Sequence, residues 1–295
     1  MKITSWNIRG LHKSLKQKNV THLLRHHKLD VIGLLETKLD ETNLKKILRT
    51  CFVGRKHTCN FHTHPTGRIY VLWNPSTIDL QELDISPQFI HCVFTCKVSS
   101  VSLLASFIYA YHTVGSRKPL WDNLISVSGN CSLPWIAIGD FNNVLNANEK
   151  CNGKDVTSTE VRDFEECCVL TGLTDLRSME CHSTWTNNEV WCKLDRAMVN
   201  KHWFDQGLDG MANFFPSGCL SDHSPCIVSL LDVVTKNNRP FRFFNMWVSH
   251  TDFNDLVATH WDLYVRGTKQ FIFCKKLKHL KRPLKELNTL VHKRL

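Results

Sequence analysis

Polar side chains follow several apolar runs of this sequence, at the points where the runs end. The run "WIAIG" leads directly into "GDFNNVL", which places Asp140 and Asn142 on a short turn. Loops at strand ends present side chains on a rigid frame, so binding and catalytic groups commonly gather there. The side chains in such positions comprise carboxylates, amides, a phenol and an imidazole: Asn7, Glu36, Tyr109, Asp140, Asn142, Asp195, Asp222 and His223.

Each of these residues alone also has a purely structural interpretation. Asn and Asp after a strand usually form turns, and Asp195 could pair with the neighbouring Arg196. The set as a whole favours a different interpretation, because carboxylate and amide oxygens bind hard divalent cations. Together with a phenol and a histidine, such groups suit metal-assisted hydrolysis of a phosphate ester.

Strand-like and helix-like segments alternate through the first 230 or so residues. Many strands with hairpin-length links, and helices between them, predict two sheets covered by helices, which is a layered α/β or α+β sandwich. Alternating or apolar runs predict strands at residues 2–8, 30–36, 67–74, 89–98, 101–109, 135–139, 183–187, 192–199 and 225–231. Apolar residues at helical spacing predict helices at residues 14–28, 41–49, 116–128 and 158–171.

Charge divides the chain into two parts. The net charge is +10, and residues 236–295 carry 13 Lys and Arg against 4 Asp and Glu, so most of the excess lies there. This asymmetry predicts one domain over residues 1–233 and a basic linker with a helical tail over residues 234–295. A basic tail favours non-specific attraction to polyanions, although a solvated helix face would have the same composition.

Leucines in the tail recur at steps of three and four, which predicts a short helical seam interrupted by Pro283. We predict a monomer, with dimerisation through this helix as the alternative. The seam consists of Phe273, Leu277, Leu280, Leu284, Leu287 and Val291.

Several classes of protein are disfavoured by composition. The N-terminus lacks an apolar segment typical of a signal peptide, and the longest apolar region is broken by Lys97 and several serines. The 13 cysteines form no CxxC pair, and the spacing of the Cys and His residues between positions 51 and 64 fits no common zinc finger. We therefore predict a nuclear or cytoplasmic protein with reduced thiols that is neither secreted nor bound to a membrane.

Eight short stretches of the chain occur in the order found in one known superfamily. They are "SWNIRG", "LLETK", "GRIYVLWN", "IYAY", "GDFNNVL", "TWTN", "KLDRAMVN" and "SDHSP", and they span residues 1–231. By these stretches the chain resembles the endonuclease/exonuclease/phosphatase superfamily. Further stretches, including "RPFRFFNMWVSHTDF", resemble the endonuclease part of plant LINE-type non-LTR retrotransposon proteins, in which a reverse transcriptase follows; the tail ends before such a domain.

This resemblance implies a fold and a set of roles. The fold is a four-layer α/β/β/α sandwich of the DNase I-like type, and the activity is divalent-metal-dependent cleavage of DNA. Glu36 is expected to bind Mg²⁺ or Mn²⁺, with Asn7 and Asp222 beside it. Asp140 is expected to position or deprotonate the attacking water. The remaining roles are orientation of water or phosphate by Asn142, stabilisation of phosphate charge by His223 held by Asp195, and phosphate or leaving-group contact by Tyr109.

Three positions depart from related sequences. His112 stands where the family usually has Asn, Arg9 stands where abasic-site endonucleases often have Asp, and a Gly is missing before the Trp185 segment. We expect Arg9, His112 and Trp185 to contact phosphate or DNA. Two alternatives stay open: a catalytically weak or inactive retroelement remnant that only binds nucleic acid, and an abasic-site repair endonuclease.

Overall fold

The computed structural model describes residues 1–64, 67–217, 220–231, 248 and 251–291. The chain forms two compact units, Met1–Val233 and Val234–Leu295. The strands are β1 (Lys2–Asn7), β2 (Val31–Leu39), β3 (Lys56–Cys59), β4 (Gly67–Trp73), β5 (Ile78–Ile85), β6 (Phe89–Cys96), β7 (Ser102–Tyr109), β8 (Trp135–Asp140), β9 (Lys150–Cys151), β10 (Thr174–Asp175), β11 (Ser178–Glu180), β12 (Trp185–Thr186), β13 (Trp191–Cys192), β14 (Asp195–Val199), β15 (Asp209–Phe214) and β16 (Cys226–Leu231). The helices are α1 (Ser14–His26), α2 (Glu41–Cys51), α3 (Val114–Asn130), α4 (Ser158–Thr171), α5 (Lys201–Asp205), α6 (Phe253–Trp261) and α7 (Lys269–Val291).

Two large sheets form the first unit. One has the strand order β11-β15-β16-β1-β2-β4-β3, and the other has the order β10-β14-β8-β7-β6-β5. Their inner faces pack together in one apolar core, to which Val31 and Val71 contribute from the first sheet and Phe107 and Ile138 from the second. The third sheet, β12-β13-β9, is small.

Helices cover the outer face of each sheet. Val20 of α1 and Leu44 of α2 pack on Ile32 and Leu72 of the first sheet. On the second sheet, Leu120 and Trp121 of α3 and Phe164 of α4 pack on Trp135 and Ala137, and the rings of Trp121 and Phe164 stack with centroids 4.6 Å apart. Each helix therefore buries one apolar stripe and leaves its polar face to solvent. The predicted four-layer α/β/β/α sandwich is confirmed.

Some strands have no counterpart in the sequence prediction, namely β3, β5, β9, β10, β11 and β15. We take β5 and β15 as examples. β5 is an edge strand with mostly exposed side chains, so it lacks a continuous apolar face. β15 contains Asp209, Gly210 and Asn213, residue types that are poor in strands, and its place is fixed by pairing with β16. Long-range pairing overrides local propensity in both cases.

In the second unit, α6 packs against α7. Leu280 and Leu284 are buried in a cluster with Phe253, Leu256 and Trp261, so part of the leucine seam is used within the unit. α7 also continues through Pro283, and the predicted interruption there is wrong. A proline inside a helix removes one hydrogen bond and can kink the helix without ending it.

Phe273 and Leu277 of the seam are half exposed, and dimerisation through this helix stays a prediction. The beginning of the predicted linker, residues 234–240, lies outside the described residues, as do the side chains of Leu287 and Val291. Among the described helices, none is both long enough and apolar enough to cross a membrane.

Candidate active site

Parallel strands in the two sheets bring the polar strand ends to one edge of the sandwich. β1 and β2 run parallel, with Asn7 opposite Leu35, and β7 and β8 run parallel, with Tyr109 opposite Asp140. β14 pairs with β8 so that Asp195 lies opposite Asp140. The carboxyl ends of parallel strands meet at one edge, so the predicted residues converge there.

Gly139 allows the strand that carries Asp140 to lie this close to its neighbour. Its φ is +148°, and a Cβ at this position would stand 2.0 Å from the carbonyl oxygen of Ile108. Any other residue would push β8 away from β7. The Gly of "GDFN" therefore fixes where the following carboxylate lies.

Asp140 is fully buried and is held by three polar neighbours. Asn7 Nδ2 donates to its Oδ2 at 2.9 Å, and the Asn142 backbone N–H donates to its Oδ1 at 2.9 Å. His223 Nε2 lies 3.7 Å from Oδ2. Burial, with a smaller contribution from the Asp195 charge, raises the pKa of Asp140 to about 6, against the opposing effects of His223 and the Asn7 hydrogen bond.

His223 lies between two carboxylates. Its Nδ1 is 2.9 Å from Asp195 Oδ2, and only 2% of the residue is exposed. Burial lowers the pKa of His223, but the charges of Asp195 and Asp140 outweigh burial and raise it to about 9. The imidazole is therefore protonated at neutral pH, and its Nε2–H is directed towards the Asp140 side of the site.

Thr184 and Ser221 position Asp195 and Asn7 through hydrogen bonds to their backbones. The sequence prediction did not include these two residues. The backbone N–H of Asp195 donates to Thr184 Oγ1 at 2.8 Å. Ser221 Oγ donates to the carbonyl oxygen of Asn7 at 2.6 Å. Both residues lie in quoted stretches, "TWTN" and "SDHSP", so proximity to the motifs was the only signal for them.

Glu36 and Asp222 form a second carboxylate group beside the first. Glu36 lies in a bulge of β2 with a positive φ of 51°, a strained conformation for a non-glycine residue. Lys38 Nζ is 2.9 Å from Glu36 Oε1, while Arg9 Nη1 is 3.6 Å from Glu36 Oε2 and Arg9 Nε is 3.5 Å from Asp222 Oδ1. Burial raises the pKa of Glu36, but Lys38 and Arg9 outweigh burial, and the net pKa is lowered.

Glu36 Oε2 is the atom that fits a divalent cation. It is buried and has no hydrogen-bond partner among the described residues. Within the described part of the chain, Arg9 is the one cation paired with Asp222 Oδ1, with its Nε 3.5 Å away, and Asp222 Oδ2 accepts from Trp185 Nε1 at 3.0 Å. Two oxygens of different carboxylates are thus available to a hard cation that prefers oxygen ligands.

The described residues contain one cluster of three acidic or His groups whose ligand atoms lie within 4.8 Å of one another, formed by Asp140, Asp195 and His223. This cluster is the less suitable of the two for a hard cation. His223 Nδ1 is already hydrogen-bonded to Asp195, and the protonated ring already balances the carboxylate charge. Glu36, by contrast, presents its Oε2 without a hydrogen-bond donor from any residue that the structure describes.

Tyr109 lies between the two carboxylate groups. It is buried, and burial together with the charge of Glu36 raises the pKa of its hydroxyl far above the ordinary value. The phenol therefore stays protonated and can act only as a hydrogen-bond donor or neutral acceptor near neutral pH.

The other predicted contacts also lie at this edge. His112 Nδ1 is 3.2 Å from Asn142 Oδ1, and Asn142 Nδ2 donates to the carbonyl oxygen of Ala110 at 2.8 Å. Arg9, Lys38 and Asn142 have positive φ angles like Glu36. Strained backbone conformations of this kind cluster at functional sites. The structure thus brings all the predicted residues to one edge; their catalytic roles stay predictions.

The profile of the Endonuclease/Exonuclease/phosphatase family matches residues 4–223. The chain belongs to this family. The match covers the strand ends just described, from β1 to His223. The family acts as phosphodiesterase-type nucleases and phosphatases, and the fold is the DNase I-like fold.

Solved structures of the same fold include enzymes that act on DNA. The AP endonuclease LMAP from Leishmania major superposes with a TM-score of 0.62 at 16% identity, over 77% of this chain and 86% of that chain. The 3′ phosphatase NExo from Neisseria, bound to a product DNA hairpin, superposes with a TM-score of 0.60 at 18% identity, over 78% of this chain and 99% of that chain. The endonuclease domain of TRAS1, a telomere-specific non-LTR retrotransposon, superposes with a TM-score of 0.55 at 13% identity, over 78% of this chain and 97% of that chain. Among curated protein sequences, none matches this chain.

Proposed function

We propose that this protein is a divalent-metal-dependent DNA endonuclease that nicks DNA by attack of water on a phosphodiester. The observation that carries the proposal is the environment of Asp140. Its carboxylate is fully buried, oriented by Asn7 and Asn142, and faces the protonated His223. A base and a cationic hydrogen-bond donor directed at one point suit in-line hydrolysis of a phosphate ester.

Asp140 is the base in this mechanism. Its raised pKa places it nearer to neutrality than an ordinary carboxyl group, and a general base is most effective when its pKa lies near the working pH. The hydrogen bonds from Asn7 and Asn142 fix both oxygens, so a water bound within about 3 Å is aimed at the phosphorus.

His223 stabilises the negative charge that develops on the phosphate. Its Nδ1–H donates to Asp195, which leaves the Nε2–H for a phosphate oxygen. A cation that is already oriented by a buried carboxylate needs no reorganisation during the reaction. Tyr109, kept protonated by burial and by Glu36, donates a hydrogen bond to the phosphate or to the leaving oxygen.

Glu36 and Asp222 would hold a Mg²⁺ or Mn²⁺ ion, with the Oδ1 of Asn7 beside them. When bound, such an ion would act as a Lewis acid that polarises the phosphate and stabilises the leaving oxygen. The chain's own contribution is to fix the two carboxylates: β2 holds Glu36 in its bulge, and Trp185 holds Asp222 through its indole N–H.

The organisation of the chain supports a retroelement origin. We propose that residues 1–233 are the nuclease domain of a plant LINE-type element and that residues 234–295 are a basic extension that strengthens contact with DNA. The support is the motif order, the stretch "KLDRAMVN" and the excess of Lys and Arg after residue 236. Such a protein would act in the nucleus or cytoplasm, where thiols stay reduced; none of the described cysteines is in a disulfide.

Plasmid relaxation tests the proposal. Purified protein is incubated with supercoiled plasmid in Mg²⁺, in Mn²⁺ and in chelator, beside Asp140→Ala and His223→Ala. The matched control is Asp79→Ala, which removes a carboxylate from the exposed edge strand β5. We expect nicking that requires metal, disappears in both active-site variants and persists in the control.

Two other outcomes would favour the alternatives. A folded wild-type protein that binds DNA but leaves the plasmid supercoiled would indicate a remnant without activity, and His112→Asn would then be the variant to test for recovery. Cleavage confined to a plasmid that contains abasic sites would indicate a repair endonuclease.

A further inference from the structure

Arg68 lies at the beginning of β4, at the edge of the active site. The adjacent strand β2 pairs with β4 through Leu35 and Leu39, and the bulge between these two residues carries Glu36. The backbone N–H groups of Arg68 and Ile69 donate to Asn60 Oδ1 at 3.0 and 2.8 Å. The backbone position of this arginine is therefore fixed.

The guanidinium group of Arg68 is held between two aromatic rings. Its central carbon is 4.1 Å from the ring centre of Tyr109 and 4.5 Å from that of Tyr111. Stacking of a planar guanidinium on aromatic faces is favourable and restricts its rotation. The orientation of the N–H fork is thus set before any ligand arrives.

Most donors of this guanidinium have no acceptor among the described residues. Nη2 donates to the carbonyl oxygen of Tyr109 at 3.3 Å, whereas Nε is buried and has no partner. Within the part of the chain that the structure describes, no carboxylate forms an ion pair with Arg68. Buried Arg196, by comparison, pairs with both Glu149 and Asp175.

A partly buried guanidinium whose Nε is buried and has no acceptor among the described residues favours an anionic ligand. Leaving such a group unpaired is costly, and a phosphate oxygen pair matches the planar fork of an arginine. The stack also lies on the ring of Tyr109, the residue expected to contact the scissile phosphate. An anion bound here would be a part of the DNA backbone next to that phosphate.

We propose that Arg68 binds a backbone phosphate of the DNA strand adjacent to the scissile bond, on the Tyr109 side of the site. This inference rests on the proposed function, since it takes DNA to be the substrate. It adds a phosphate contact that is separate from the carboxylate groups and from Arg9. The competing explanation is that Arg68 only holds the end of β7 and the loop after it in place, through Tyr109 and Tyr111.

The salt dependence of DNA binding separates these two explanations. Binding of a labelled short duplex is measured by fluorescence anisotropy in EDTA, which prevents metal-dependent cleavage, over a range of KCl concentrations. Each phosphate neutralised by a side chain adds about 0.9 to the slope of log affinity against log salt. Loss of one contact also lowers affinity at 0.1 M salt by about eightfold relative to 1 M salt.

Four variants make the test specific. Arg68→Gln keeps a planar amide but loses the charge, and we expect its slope to fall by about 0.9. Arg68→Lys keeps the charge and is expected to retain the slope. Arg68→Met gives the same loss of charge if the glutamine variant does not fold. Arg162→Gln removes an exposed arginine from α4 and controls for net charge, and its slope should not change.

An unchanged slope in folded Arg68→Gln or Arg68→Met would overturn the proposal and leave the positioning of β7 and the loop after it as the role of Arg68. A wild-type protein that does not bind the duplex at any salt concentration would overturn it as well. Because the measurement needs no cleavage, an Arg68-dependent slope in a protein that fails to nick plasmid would contradict only the proposed function.

Discussion

The candidate active site has two carboxylate groups that differ in how their charges are balanced. Asp140, Asp195 and His223 form a buried group that is closed by hydrogen bonds and contains its own cation, the imidazolium. Glu36 and Asp222 are approached by the partly exposed Arg9 and Lys38, at mostly longer distances, and one Glu36 oxygen has no donor among the described residues. The first group is closed within the protein alone, whereas in the function that we propose the second would take up an external cation. In the proposed mechanism, the residues of the first group are pre-organised by the protein, and a metal ion would assemble those of the second.

We call Asp140, Asp195 and His223 the closed group, and Glu36 and Asp222 the open group. The largest effect is expected in the closed group. Asp140→Asn removes the proposed base and leaves one acceptor oxygen in place of two, so either the hydrogen bond from Asn7 Nδ2 or the one from the Asn142 backbone N–H is lost. We expect nicking to fall by at least about 1000-fold, because base catalysis and orientation are lost together. Nicking rates at saturating Mg²⁺ measure this. Residual activity within about tenfold of wild type would show that another residue is the base.

Asp195→Asn should have the next largest effect. It removes the carboxylate that contributes most to raising the pKa of His223, so the pKa falls and a smaller fraction of the imidazole is charged near neutral pH. We expect about 100-fold slower nicking, in the range found for loss of one transition-state donor. Equal loss in Asp195→Asn and Asp79→Ala would contradict a specific role for this pair.

The pH dependence of the metal-free protein sharpens the comparison. The pKa of His223 is raised from 6.5 to about 9 in the folded state, so its protonated form stabilises the fold. This stabilisation is complete below pH 6.5 and is lost as the pH rises through about 9. In EDTA, wild type should lose stability to urea over that interval more steeply than His223→Gln. If the stability of the two proteins changed with pH in parallel, the imidazolium would not be formed without metal.

In the open group, Glu36 and Asp222, loss of a neighbouring positive charge should strengthen function-related metal binding rather than weaken it. Arg9→Gln removes a positive charge from both Glu36 and Asp222, which then attract a divalent ion more strongly. We expect Mn²⁺ affinity to rise by about threefold to tenfold, a modest change because Arg9 is partly exposed and the pairs are screened. Calorimetric titration measures this, with Lys45→Gln on α2 as control. Weaker Mn²⁺ binding by Arg9→Gln would show that the arginine assists the metal.

The smallest effect is expected from Trp185→Phe. The change removes the indole donor to Asp222 Oδ2 but keeps an aromatic ring. One hydrogen bond to a carboxylate should change the Mg²⁺ concentration needed for half-maximal nicking by about fivefold, with little change in the maximal rate. A large fall in the maximal rate would place Trp185 in contact with DNA instead.

The closed group was largely predictable from sequence, because an apolar run that ends in "GD" predicts a buried strand with a carboxylate at its end. Parallel pairing then brings such ends together. The open group was predictable only in its residue types. The bulge in β2 brings Glu36 together with Arg9 and Lys38. No local sequence pattern indicates such a bulge. Arg68 was not predicted at all, because its rings come from a strand of the other sheet and the loop after it.

The same limit applies to the fold. Helix α4 has the predicted bounds because Thr157 and Glu160 form a local capping box. β15 was not predicted because its residues favour turns, and its place comes from pairing with β16 and β11. Short-range signals therefore gave the elements with caps and apolar faces, and long-range contacts determined the rest.

The position of Mn²⁺ in a crystal soaked with the ion tests the central comparison most directly. Anomalous scattering at the manganese edge locates the ion without reference to activity. We expect a single strong peak at about 2.0–2.2 Å from oxygens of Glu36 and Asp222, with Arg9 moved away from both carboxylates. A peak between Asp140, Asp195 and His223, with Glu36 still paired to Lys38, would contradict the assignment of the metal to the open group.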